Sequence, residues 1–350
     1  MYLQAKKNLS ALIILATYLA TALGQTALAE PVQVEHGRLA RALNLPVYQW
    51  QDNQRPAKAV VLAIHGLTMH GTVFDAYARR LAADGIIVIA TDLRGYGAWY
   101  QGGDNSGINY LQSEKDLCAL TSAVRQQYKG LPLFLAGESL GGSMAIRLAA
   151  RNEGLVDGLI LVSPAIKLHY SIKTIVDALV SVAKPSHQFD VSNYIRKNFS
   201  EDPQITAEGM TDPLIRKHLS MVDLYRSCQF IAGSRQYISQ VPSNIPVLIL
   251  QGAADRIVKP SGAALLNANL RTADKCMQLL PTRGHILIET QHIHQDTMNS
   301  IVSWVDSKCT TRSAESDRIA IQKGSVRESI AKQEESADTA SGASAKGSRS

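Results

Sequence analysis

The stretch "PLFLAGESLGGSMAIRLAA", residues 132–150, decides the fold of this chain. An apolar, strand-like run passes through Gly137-Glu138-Ser139-Leu140-Gly141 into a second apolar segment of helical character. Gly-x-Ser-x-Gly alone decides little: with Gly and Ser each at roughly 7% of residues, about one chain in ten of this length holds it by chance. Its flanks carry the argument. Where a strand turns sharply into a helix, the residues two before and two after the serine must be tiny, because their backbones nearly touch, and the serine is left strained and exposed. Gly137 and Gly141 fill those places, and Gly142 and Ser143 let the helix begin close to the strand. A serine so placed sits at a helix N-terminus, where free N–H groups favour developing negative charge. Ser139 is the candidate nucleophile.

Outward from this turn, apolar runs alternate with helix-like segments. "KAVVLAIHG" (58–66), "IIVIATD" (86–92), "VDGLILVSP" (156–164), "IPVLILQGAAD" (245–255) and "CMQLLP" (276–281) read as buried strands. Helices are expected at 73–85, at 113–128 opened by Ser113, at 140–152, around 261–270 and near 292–308. Continuous apolar strands alternating with helices argue for a mostly parallel sheet covered on both faces, an α/β fold. Residues 165–244 interrupt the rhythm with further helical segments, "SIKTIVDALVSVA" and "PLIRKHLSMVDLYRSCQFI", and with Pro185, Pro203 and Pro213 as breaks. This segment reads as a helical cap inserted between two sheet strands.

Serine near its free pKa is a weak nucleophile; it needs a base, and the base needs an orienting carboxylate. On an open α/β sheet the acid should follow a late strand and the histidine the last one. Asp255 comes just past "PVLILQGAA" and His285 just past "CMQLLPTRG", both at C-terminal strand ends, where such sheets place their sites. Asp202, Asp212 and Asp223 fall in the inserted segment, before the required strand. The oxyanion needs two main-chain N–H donors. Leu140 follows the nucleophile, and Leu67 lies in the "HGLTMHG" loop after the first buried strand. His65 and His70 read as loop-structuring residues, and the His292-x-His294 pair as solvated residues at the start of the last helix, not a metal site.

With "AIHGLTMHG", "TDLRGYG", "LAGESLGGSMAIRLA", "LILVSPAIK", "LILQGAADRIVKP" and "GHILIE" in this order, residues 58–307 resemble the monoacylglycerol lipase and lysophospholipase group of α/β-hydrolases, of serine aminopeptidase S33 type. The resemblance implies the α/β-hydrolase fold, with Ser139, Asp255 and His285 as the triad and Leu67 and Leu140 as the oxyanion donors. It also implies that residues 165–244 form a lid over an apolar acyl tunnel. Two positions differ from the commoner pattern of the group: Glu138 stands where many members have His, though a Gly-Glu-Ser form also occurs in it, and Tyr96 in "RGYG" replaces the commoner His. The implied activity is hydrolysis of carboxylic esters, such as monoacylglycerols or lysophospholipids, without metal or organic cofactor. An aminopeptidase, a thioesterase and a non-catalytic binding protein remain the alternatives; a peptidase would draw the substrate amine to carboxylates such as Glu201, Asp202 and Glu208.

The ends read differently. Lys6 and Lys7, an apolar run over 11–23 and Ala27-Leu28-Ala29 make the pattern of a cleaved secretory leader over 1–29 and imply a periplasmic or secreted protein. Residues 310–350, rich in Ser, Ala, Glu and Lys, read as a disordered tail. That leaves 30–309 for the hydrolase domain. The formal net charge is +6, or +4 without Lys6 and Lys7, with no dense basic stripe, so nucleic acid is not an expected partner. A small acyl ester is, together with transient contact between the cap and a membrane surface. An oxidising compartment permits disulfides. A helix returning antiparallel after the last strand should bring Cys309 back to Cys276; Cys118 and Cys228 would then tie core to cap.

Overall fold

The computed structural model describes residues 32–35, 37–101, 107–169 and 188–310. The leader expected over 1–29, the helix expected at "SIKTIVDALVSVA" and the tail beyond 310 lie outside the described residues.

The chain enters through β1 (Val32–Glu35), α1 (Arg38–Leu43) and β2 (Val47–Asp52), then the buried β3 (Ala59–Ile64). After α2 (Asp75–Ala83) come β4 (Ile86–Thr91), the short α3 (Gly97–Gln101), α4 (Tyr110–Gln127), β5 (Leu133–Glu138) and α5 (Leu140–Arg151). β6 (Gly158–Val162) closes the first half. One eight-stranded sheet runs in the order β1-β2-β4-β3-β5-β6-β9-β10, with β9 (Val247–Gly252) and β10 (Lys275–Leu280) from the second half. β1 and β2 are antiparallel additions at one edge; the remaining neighbours are parallel. β3, β4, β5, β6 and β9 are buried along their whole length, as strands covered on both faces must be. On one face Leu117, Leu120, Met144 and Leu148 pack under α4 and α5. On the other, Phe74, Tyr77 and Leu81 meet Ile301 and Trp304 of the final helix, residues 295–310.

Between β6 and β9 lie the two-stranded antiparallel sheet of β7 (Gln188–Asp190) and β8 (His218–Ser220), with α6 (Ser192–Asn198), α7 (Pro203–Thr211) and α8 (Met221–Ser234); α9 (Pro260–Asn269) then joins β9 to β10. Pro203 opens α7 in its first turn, where a missing N–H costs nothing, instead of breaking a helix. The segment "PLIRKHLSMVDLYRSCQFI" is not one helix. Leu219 is a buried strand residue, and α8 begins only at Met221, where Ser220 and Asp223 form a reciprocal capping box. Likewise Asn109, not Ser113, caps α4, accepting the Gln112 N–H. Arg216 fastens this segment to the core: its guanidinium donates to the Gly95 carbonyl and to Asp223, and its main-chain N–H to the Thr68 carbonyl.

Neither expected disulfide forms; all four cysteines are thiols. The last helix crosses the sheet obliquely: Ser300 bonds Gln278 on β10, Trp304 packs on Phe134 of β5, and the Cys309 sulfur turns to the Lys58 carbonyl, 3.7 Å away, at the foot of β3. β3 stands four places from β10 in the sheet, about 19 Å at the usual strand spacing. A disulfide needs Cα atoms within about 7 Å. Cys118 donates to the Asn152 side chain, and Cys228 is buried on α8.

Candidate active site

β5 delivers Ser139 at the turn into α5 with φ +55° and ψ −118°, a left-handed conformation held from both sides. The Ser139 N–H donates to Val162 on β6, and its carbonyl accepts from Gly142, Ser143 and Ala165. A Cβ on Gly137 would press into the main chain of Gly141 and Gly142, and one on Gly141 into the Ile64 carbonyl at the end of β3. Strand, turn and helix can approach this closely only because both positions are glycine.

Asp255 and His285 follow β9 and β10 at the same end of the sheet. His285 Nε2 lies 2.9 Å from Ser139 Oγ, and Nδ1 lies 2.8 Å from Asp255 Oδ2. With the Nδ1 proton donated to Asp255, Nε2 is the acceptor for the serine hydroxyl. Asp255 also accepts the N–H groups of Ile257 and Val258 and the Gln251 amide. Burial pushes its pKa up, but the His285 charge and these hydrogen bonds outweigh it, and the carboxyl is held below its ordinary value. The structure thus brings together the three residues singled out in the sequence. Asp202, Asp212 and Asp223 are engaged elsewhere: Asp202 caps α7, Asp212 meets His70 at 3.1 Å, and Asp223 holds Arg216.

The loop carrying Leu67 lies against Ser139. A Cβ on Gly66 would stand 3.3 Å from that of Ser139. His65, pushed down to a pKa of about 3 by burial, is neutral; it bonds the Gly66 carbonyl and accepts the Leu93 N–H, the structuring role expected of it. Among the described residues no acceptor pairs with the N–H of Leu67 or Leu140. Both groups are therefore available to an oxyanion formed at Ser139.

Three site residues were missed in the sequence: Gln251, Glu138 and Glu289. Glu138 is fully buried and accepts the N–H groups of Leu287, Ile288 and Glu289 in the loop after His285. Burial pushes its pKa up to about 7, against the opposing pull of the His285 charge and those three donors. Glu289 accepts the Gly66 N–H at 2.6 Å. The signal in the sequence was a polar residue inside or at the end of an apolar run, as in "VLILQG", "LFLAGE" and "HILIE", joined for Glu138 by its standing where many members of the group have His.

His285 is raised above the ordinary imidazole value of 6.5: burial opposes its charge, but Asp255 and then Glu138 more than compensate. A base must be neutral to accept a proton, so kcat/KM should rise with pH along a limb above 6.5 and be lost as His285 protonates below it. Glu138→Gln removes one of the two charges that stabilise the imidazolium. The limb should then move to lower pH in a pH–rate profile; an unmoved or raised limb would contradict this electrostatic role.

A cavity of about 310 Å³ opens onto Ser139 and His285. Its far wall comes from the segment between β6 and β9 and is almost wholly apolar, with Phe189, Ile195, Phe199, Leu219, Leu224 and Ile231. Phe199 also fixes the base, its carbonyl accepting the N–H groups of His285 and Ile286.

Residues 55–291 match the family Hydrolase_4, described as serine aminopeptidase, S33. The chain is 26% identical over 283 residues to the human monoglyceride lipase, covering 75% of this chain and 86% of that one. It is 25% identical over 262 residues to the Mycolicibacterium smegmatis monoacylglycerol lipase, covering 74% and 91%. The fold is similar to the crystal structure of a soluble variant of the Saccharomyces cerevisiae monoglyceride lipase in complex with a substrate analogue, with a TM-score of 0.64, 21% identity and coverage of 79% and 94%.

Proposed function

The chain belongs to the Hydrolase_4 (serine aminopeptidase, S33) family, and from that premise we propose that it is a serine ester hydrolase cleaving monoacylglycerols and similar acyl esters. The observation that carries this reading is the Ser139–His285–Asp255 chain of hydrogen bonds at the mouth of an apolar cavity. His285 takes the hydroxyl proton as Ser139 Oγ attacks the ester carbonyl. The N–H groups of Leu67 and Leu140 hold the oxyanion, and Asp255 stabilises the imidazolium. Collapse of the tetrahedral intermediate breaks the bond to the alcohol, which leaves with the proton from His285. Water, deprotonated by the same imidazole, then releases the acid and restores the serine. The segment between β6 and β9 acts as a cap whose apolar wall receives the acyl chain and through which the enzyme meets a lipid surface.

The peptidase alternative needs carboxylates turned toward a substrate amine, and the three candidates are committed elsewhere. Glu201 accepts the Gly284 N–H, Asp202 the Gln204 N–H, and Glu208 bonds Thr290 and the Gln291 N–H. Comparing fatty-acyl esters of graded chain length with aminoacyl-arylamides, with Ser139→Ala as control, tests the assignment. Ester turnover with little arylamide cleavage is expected; the reverse preference would overturn it.

Export completes the proposal. It is supported by the charged start, short apolar run and Ala27-Leu28-Ala29 pattern of residues 1–29. N-terminal sequencing of the mature protein should begin at Glu30; a protein still beginning at Met1 would sink the leader reading.

A further inference from the structure

The oxyanion donor Leu67 sits on a loop, and its N–H must keep one direction while charge builds on the substrate. Residues 66–69 form a turn: the Met69 N–H donates to the Gly66 carbonyl, 3.3 Å away, and Thr68 takes φ +73° at the third position, as in a type II turn. The Gly66 carbonyl also accepts from His65 Nδ1 at 2.8 Å; Nδ1 carries the proton because Nε2 accepts the Leu93 N–H. A trans peptide is planar, with its C=O and N–H on opposite sides. Fixing the Gly66 carbonyl therefore turns the Leu67 N–H the other way.

The other side of Gly66 is held from the loop after His285. The Gly66 N–H donates to Glu289 Oε1 at 2.6 Å. A Cβ on Gly66 would stand 3.1 Å from Glu289 Oε2 and 3.3 Å from the Ser139 Cβ, so this residue is wedged between the carboxyl and the nucleophile. Glu289 is itself fixed. Its N–H, with those of Leu287 and Ile288, donates to Glu138, the neighbour of Ser139 in the chain. The next residue, Thr290, donates to Glu208 of α7. Burying a carboxyl costs stability, and here Oε2 has no hydrogen-bond partner among the described residues. A cost retained at this place points to a use in holding Gly66.

We propose that Glu289 is a positioning residue for the oxyanion hole, a role that rests on the ester-hydrolase reading above. Its carboxyl holds the Gly66 main chain so that the Leu67 N–H meets the oxyanion. Glu289 itself touches no reacting atom, and it serves the transition state more than substrate binding. Burial, followed by the neighbouring charge of Glu138, raises its pKa and favours the protonated form, of which glutamine is the close match.

The test uses two inhibitors with the same alkyl chain and a p-nitrophenyl acyl ester as substrate. An alkyl trifluoromethyl ketone adds to Ser139 and forms an oxyanion; the matching alkyl methyl ether fills the apolar wall and forms none. Glu289→Leu should lower kcat/KM for the ester by about ten- to a hundredfold, less than or near the loss of a whole oxyanion donor. The ketone should weaken by a matching factor, while the ether stays within about threefold of its wild-type affinity. Glu289→Gln should keep most of the activity and of the ketone affinity. Glu289→Asp, which retracts the acceptor by one methylene, should show the leucine signature at smaller size and serves should the leucine variant fail to fold. Ketone and ether weakened alike would mean a distorted cavity and overturn the role. So would unmoved kcat/KM in the leucine or aspartate variant, or a glutamine variant as impaired as the leucine one. Each of these leaves the esterase intact, whereas a wild type that cleaves no ester and binds no ketone overturns both.

Discussion

Ser139→Ala is expected to lower kcat for ester hydrolysis by about 10⁵- to 10⁶-fold while leaving the fold unchanged. Among the described residues the hydroxyl's side-chain partner is His285 Nε2, at 2.9 Å, so its removal leaves no large void and strands no buried charge. The φ of +55° is set by the backbone bonds to Val162, Gly142, Ser143 and Ala165, which alanine retains. Without the nucleophile no acyl-enzyme can form. What remains is catalysis by binding and by the oxyanion donors, worth about 10³- to 10⁴-fold over water. Steady-state kinetics alongside thermal unfolding separates the two effects: a large loss in kcat with an unshifted Tm is the expected pair. A residual rate within tenfold of wild type would remove Ser139 from the reaction.

Gly141→Ala is expected to destabilise the protein by about 3 kcal/mol or more, one of the largest costs available to the addition of a single methyl group. The new Cβ would be driven into the Ile64 carbonyl, a main-chain atom at the end of β3 that cannot turn aside as a side chain could. Relief requires α5 to move away from the sheet, which would withdraw Ser139 from His285. Activity should therefore fall further than the folded fraction does. Gly154→Ala is the matching control: it has φ +75° but nothing within 4 Å of an added Cβ, so only the left-handed backbone penalty of about 1–2 kcal/mol is expected. Urea titrations of the two variants measure the difference. Equal costs would mean that the turn is looser than its packing indicates.

The parts of this site legible in the sequence are those encoded locally. The elbow is a contiguous pattern, and the buried strands are unbroken apolar runs, so the order Ser139, Asp255, His285 followed from reading along the chain. What could not be read depends on contacts between distant segments. Glu138 reaches across the fold to the N–H of Glu289, 151 residues away, and Glu289 to that of Gly66, 223 residues away. Neither carboxylate has a local signature beyond following an apolar run. The antiparallel β1 and β2 were missed because their mixed polar sequences, "VQVE" and "VYQWQD", lack the apolar continuity of the central strands. The cysteine pairing failed for a related reason: sequence order gives the sense of the last helix but not its crossing angle, and the crossing carries Cys309 to β3. The segment between β6 and β9 was recognised by its broken rhythm, while its small sheet rests on strands of three residues each, too short for periodicity to register.

The central claim is that Ser139 is activated as a nucleophile by His285 and Asp255. Its most direct test is to treat the folded protein with a fluorophosphonate and map the adduct by peptide mass spectrometry. A single adduct on Ser139 is predicted, absent from Ser139→Ala and forming more slowly as His285 protonates at low pH. No adduct on the folded protein, or one on a different serine, would contradict the account.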